Sequence, residues 1–145
     1  MNKKDIILKN ALIIFNENGY VGTSINDVAK KSGIAKSTIF HYFKNKEDLF
    51  NQVFLKSKIA FAKTNTHFLF GTDRDELIEI LEFQNNHIEE LKFFNQFEYS
   101  KYISEDSKRI AQKIHEETIN YIKNEQKNNR MVDLDPTFIC MFITN

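Results

Sequence analysis

Residues 23–43 read TSINDVAKKSGIAKSTIFHYF, and this stretch decides the fold. Ser24 and Asp27 stand at capping-box spacing, with Asp in place of the usual Glu, so a helix is expected to open just behind them. Ile25, Val28 and Ala29 form its buried face, and Gly33, which tolerates a left-handed backbone, stops it about two turns later. Only Ser32 to Ala35 separate it from a second short helix, from about Lys36 to Phe43, with Ile39, Tyr42 and Phe43 on the inward side. Two helices joined by a four-residue turn containing Gly make the helix-turn-helix arrangement. Its steric demands are met: Ala29 is small where the helices face each other, Gly33 sits in the turn, and Val28, Ile34, Ile39 and Tyr42 lock the pair. Such a pair holds its second helix proud of the surface, where its N-terminal residues can enter a major groove about 12 Å wide.

Isolated helices under ~12 residues are marginal, so neighbours must hold these two. Upstream, Ile7, Ala11, Ile14 and Phe15 repeat with helical period, and Gly19 ends that helix. Downstream, Asn45 with Asp48 three residues on caps a fourth helix, which opens at Lys46 and is expected to continue to about Phe70. Asp73 and Glu76 match a capping box for a fifth, with Leu77, Ile80, Leu81, Ile88 and Leu91 as its stripe and Asn95 as a candidate break after it. Ser104, followed by Glu105 and Asp106, caps the next, whose inner face is Ala111, Ile114, Thr118, Tyr121 and Ile122. Asp135-Pro136 is an N-cap followed by Pro at the first helical position, so a last helix carries the apolar residues Phe138 to Ile143. It runs only about two turns before the sequence stops, as a helix cut short would, and a C-terminal truncation is expected.

Composition agrees with an all-α chain. The 145 residues are 41% hydrophobic and 28% charged, enough apolar material for a core, while four Gly and one Pro leave few turn-makers for a many-stranded fold. The single cysteine, Cys140, excludes a disulfide framework and a multi-cysteine zinc site and fits a reducing cytoplasm. The longest apolar run is six residues, from Phe138 to Ile143, against the ~18 needed to cross a bilayer. Lys9 and Asn10 interrupt the only N-terminal apolar stretch, so no export signal is read. Net charge is zero, yet residues 1–50 hold eight Lys and no Arg against five acidic residues. That asymmetry points to a cationic contact surface on the N-terminal third.

Residues 7–50 carry Gly19-Tyr20, Thr23-Ser24-Ile25, Asp27-Val28-Ala29, Ser32-Gly33-Ile34, Thr38 to Phe43 and Lys46 to Leu49 in collinear order. In these the chain resembles the DNA-binding domain of the TetR/AcrR family of transcriptional regulators. The resemblance implies an all-α fold: a helix-turn-helix DNA-binding domain over 1–46, joined by a long fourth helix to a helical ligand-binding and dimerisation domain over 47–145. It implies that Lys36, Ser37, Thr38 and His41 face base edges or nearby backbone, that Tyr42 meets a phosphate, and that Thr23, Ser24 and Lys46 clamp the DNA backbone. Helix N-termini, with free N–H groups and a positive dipole end, suit phosphate at such positions. Two departures stand out: Ala35 replaces the usual capping Ser, and Phe40 replaces the usual Tyr. With no Arg before Arg74, bidentate reading of guanine is not available to this domain.

The function expected is that of a cytoplasmic, homodimeric, non-enzymatic regulator, most often a repressor in such families, released from a palindromic operator by a small molecule. Alternatives are a helix-turn-helix DNA binder without a ligand and a helical interaction module that keeps the motif as scaffold. Phe83, Phe93, Phe94, Phe97, Tyr99, Tyr102 and Tyr121 are the pocket candidates and suit an apolar or aromatic ligand, though aromatics at helical spacing are more often core. His115-Glu116-Glu117-Thr118-Ile119 lacks the second His of a zinc-protease helix, and Gln84 and Gln112 stand where a di-iron bundle needs Glu before His87 and His115. No metal, cofactor or catalytic site is expected.

Overall fold

The computed structural model describes residues 2–68, 74–131 and 133–142, without the side chains of 64–68, 74–77, 80 and 140–142. The helices are α1 (Lys3–Asn18), α2 (Ile25–Ser32), α3 (Lys36–Tyr42), α4 (Lys46–Phe68), α5 (Arg74–Asn86), α6 (Ile88–Phe97), α7 (Glu105–Lys127) and α8 (Pro136–Phe142), with no strand among the described residues. Asp73 of the expected cap lies outside the described residues, and the side chains of Glu76, Leu77, Ile80 and Cys140 lie outside the described side chains.

Local chemistry sets most of these boundaries. Asn2 caps α1 by accepting from the Asp5 amide at 2.9 Å, and the Gly19 amide closes it on the Phe15 carbonyl. Ser24 Oγ accepts from the Asp27 amide at 3.2 Å while Asp27 Oδ2 accepts from the Ser24 amide at 2.8 Å, a complete capping box. Gly33 ends α2 in the left-handed region, φ 66° and ψ 26°. Asn45 Oδ1 accepts from the Asp48 amide at 2.8 Å to start α4, Ser104 Oγ from the Ser107 amide to start α7, and Asp135 Oδ1 from the amides of Thr137 and Phe138 to start α8. Only α3 has no side-chain cap among the helices with described caps other than α6, because Ala35 has nothing to offer.

The break within the second half of the chain falls at His87, not near Asn95, which lies inside α6. The Phe83 carbonyl would take the His87 amide in a continuing helix. Instead the imidazole Nδ1 lies 2.9 Å from that carbonyl, and the His87 amide tightens onto Gln84. The ring then stacks on Phe83 at 4.1 Å.

α4 is the centre, packed by α1, α5, α6 and α7, while α2 and α3 lean on α1 and α8 on α7. One apolar cluster joins α1 to α4 with α6 and the turn after it, from Ile7, Phe15, Val28 and Ile39 through Phe50 and Phe54 to Phe93, Phe97 and Ile103. Phe15 meets Phe50 edge-on at 5.1 Å, and Phe50 meets Phe97 edge-on at 5.3 Å. A smaller cluster, Ile122 with Ile139, pins α8 to α7. No helix of the described residues is long and apolar enough to cross a membrane.

Candidate nucleic-acid interface

α3 divides by its period. Ile39 and, at its C-cap, Phe43 are buried against the core, whereas Lys36, Ser37, Phe40 and His41 are exposed and Thr38 is half-buried. Tyr42, expected on the inward side, is exposed at 37%, because its ring packs edge-on to His41 at 5.3 Å rather than into the core. Lys36 Nζ stands 5.8 Å from the Phe40 ring centre, so the substituted aromatic takes part in holding the lysine stem. The structure therefore brings Lys36, Ser37, Thr38, His41 and Tyr42 together on one short outward helix.

The three residues expected around it are placed differently. Ser24 is exposed at the start of α2, with its hydroxyl donating to Asp27 Oδ2 at 2.6 Å. Those two Ser24 bonds hold the Asp27 carboxyl below its ordinary range. Thr23 is buried, its hydroxyl donating to the Gly19 carbonyl at 2.8 Å. Lys46 Nζ is turned inward: it donates to the carbonyls of Tyr20 at 2.9 Å and Thr23 at 3.0 Å and lies 4.2 Å from the Tyr20 ring centre. A lysine at a helix start reads in sequence as a surface cation; here it braces the loop that leads into α2.

Sequence reasoning also missed the residues that join this surface to the rest of the chain. Tyr20 stacks on Tyr102 at 3.9 Å, and burial raises its hydroxyl above the usual tyrosine range, with Glu47 adding to the effect. Asn51, buried on α4, donates to the Tyr102 carbonyl and accepts from the Ser104 amide at 2.8 Å. Asn16 of α1 donates to both the carbonyl and the carboxylate of Glu89 on α6, which with Lys92 lowers the Glu89 titration. A single Asn among polar neighbours gives no sequence signal for such a role.

The seven aromatic pocket candidates stand in different surroundings. Phe93, Phe94 and Phe97 are packed into the core, Tyr99 is 92% exposed, Tyr102 lies on Tyr20, and Phe83 lies on His87. Tyr121 lines a groove of about 400 Å³ between α4 and α7, with Ile59, Ala62, Ile114 and Thr118 and the charged Lys63 and Glu117. Partial burial raises the Glu98 carboxyl, against the pull of Lys58, and lowers the His115 imidazole, with Lys58 adding to the effect. Among the described residues no three His, Cys, Asp or Glu side chains converge as a metal ion would require.

A helix-turn-helix pair with one anchored and one polar, outward face of its second helix, built on a helical body, defines a DNA-binding protein of the regulator class. The family model of bacterial regulatory proteins, tetR family, matches residues 7–53. The chain is 30% identical over 131 residues to the HTH-type transcriptional regulator YhgD of Bacillus subtilis, itself uncharacterized, covering 86% of this chain and 68% of that one. It is 37% identical over 49 residues to the biofilm operon icaADBC HTH-type negative transcriptional regulator IcaR of Staphylococcus epidermidis, covering 34% of this chain and 26% of that one. A transcription regulator from Shewanella sp. PV-4 assigned to the tetR family superposes with a TM-score of 0.69 at 24% identity, over 98% of this chain and 79% of that one. The chain belongs to the TetR family of transcriptional regulators.

Proposed function

We propose that this chain is a homodimeric repressor, acting in the cytoplasm, that α3 inserts into the major groove of a palindromic operator and a small molecule releases. The observation that carries the reading is the division of α3: Ile39 and Phe43 fix it from behind while Lys36, Ser37 and His41 are exposed and Thr38 is half-buried. Residues 1–46 form the reading head and 47–145 the body. Lys36 and His41 act at or beside base edges, Ser37 and Thr38 add hydroxyl contacts, Tyr42 meets a phosphate, and Ser24 presents the start of α2 to the backbone. Thr23 and Lys46 act behind this surface as positioning residues, because their polar atoms hold the loop itself. The negative regulator IcaR supports the sign of control.

Two heads reach successive major grooves when they lie about 34–36 Å apart, so an effector that prefers another separation empties the operator. Moving the population from 99:1 to 1:99 takes ~5.5 kcal/mol of differential affinity. Ile59, Ala62, Ile114 and the Tyr121 ring support an apolar or aromatic effector, while Lys63 and Glu117 line the same groove. A duplex selected from random DNA by the wild-type chain supplies the test. Lys36→Ala and Thr38→Ala are expected to weaken binding to it at least several-fold while leaving the far-ultraviolet circular dichroism unchanged; wild-type affinity in both variants overturns the assignment.

A further inference from the structure

The turn from α6 to α7, residues 98–104, is one of the places where the chain after residue 46 packs on the chain before it. The Tyr102 ring lies on Tyr20, whose loop leads into Thr23 and Ser24, and Asn51 binds the same turn through the Tyr102 carbonyl and the Ser104 amide. Asn51 follows Lys46 by five residues, so the turn sits only about 7.5 Å along the axis from the N-terminal end of α4. It is held firmly: the Ser100 amide donates to Phe97 at 2.9 Å and the Ile103 amide to Ser100 at 3.2 Å.

Two side chains stand out from this fixed turn. Tyr99 is 92% exposed, the most exposed large apolar side chain among the described residues. Lys101 is exposed too, with its ammonium 5.3 Å from the Tyr102 ring centre. Neighbouring acids are turned to other cations. Glu105 pairs with Lys108 at 2.7 Å, Asp106 pairs with Arg109, and the half-buried Glu98 faces Lys58. Glu47, near Tyr20, is the carboxylate on the α4 side. A phenol and an ammonium two residues apart on an exposed turn, which Tyr102 packs against the loop leading into α2, are donors suited to phosphodiester oxygens and blind to sequence.

We propose that Tyr99 and Lys101 make a second contact to the DNA sugar–phosphate backbone, outside the helix-turn-helix and on the flank of the bases under α3. The proposal rests on the reading of α3 as the DNA probe. Equilibrium binding of the full chain to the selected duplex, with flanks on both sides, tests it across a range of salt. Lys101→Ala is expected to flatten the slope of log K against log salt by about 0.9 per protomer and to weaken the selected and a scrambled duplex alike. Lys101→Arg keeps the slope, Tyr99→Phe weakens binding less than Tyr99→Ala, and removing the flanks from the duplex abolishes the difference between Lys101→Ala and wild type. An unchanged slope in Lys101→Ala, in a preparation where Lys36→Ala has lost affinity, overturns the second contact and leaves the α3 reading intact. If Lys36→Ala binds as tightly as wild type, the α3 reading fails and the Lys101 slope decides the turn by itself.

Discussion

Lys46 shows how much a residue's role depends on what lies opposite it. Its ammonium replaces water with two loop carbonyls and the face of Tyr20. A hydrogen bond made by a charged group contributes about 1.5–3 kcal/mol, and the half-buried site keeps much of that. Lys46→Met is therefore expected to lower the unfolding free energy by about 2 kcal/mol in urea titration, while the salt slope of DNA binding changes by much less than the unit expected of a direct phosphate contact. Asp27 carries a different signature. A carboxyl held low by native hydrogen bonds adds stability that is complete above its unfolded value, about 3.9, and is lost as pH falls through the lower folded one. Asp27→Asn is accordingly expected to lose stability at neutral pH and to show a shallower decline below about pH 4 than wild type, measured by urea midpoints across that range.

At the scale of the element, α3 is the helix most open to improvement. Its first turn begins at Ala35 with no side-chain acceptor, whereas α2 and α7 begin at serines that accept from the amide three residues on. Ala35→Ser is expected to raise stability by about 1 kcal/mol, visible as a higher denaturation midpoint at unchanged m. The helices were legible because their ends are written locally: Ser24 with Asp27, Gly33, Asn45, Ser104 and Asp135 all act within four residues of themselves. The helix-turn-helix was legible for the same reason. The break at His87 was not, since its imidazole competes for a carbonyl of the preceding turn, a choice that helical periodicity does not encode. Nor were the pocket and the core distinguishable among the aromatics. Phe93 and Tyr99 look alike in a list of spacings, yet one is enclosed by Phe15 and Phe50 and the other stands in solvent. Which side of a helix is apolar is a property of the sequence; what packs against it is a property of the fold.

At the scale of the molecule, the core does not divide at the boundary proposed near residue 46. Phe93 belongs to the body, but it lies 6.2 Å from Phe15 of the head, 5.2 Å from Phe50 and 4.7 Å from Phe97. Tyr20 and Tyr102 close the same seam at its edge, and Asn16 with Glu89 ties α1 to α6 beside it. A displacement of α6 would therefore be felt by α1 directly, as well as through the long α4. The same continuity makes a prediction about folding. Removing a buried Phe side chain costs about 3–5 kcal/mol, a large part of the 5–15 kcal/mol typical of a folded domain. Phe93→Ala is expected to lower the thermal midpoint of head and body together, in one transition. Far-ultraviolet circular dichroism follows the helices as a whole, and with no Trp in the chain, near-ultraviolet tyrosine dichroism follows packing such as the Tyr20–Tyr102 seam. The two melts are expected to coincide in wild type and variant alike. If the body melts early in Phe93→Ala while duplex binding persists to the wild-type midpoint, head and body fold as separate units and the aromatic seam does not couple them.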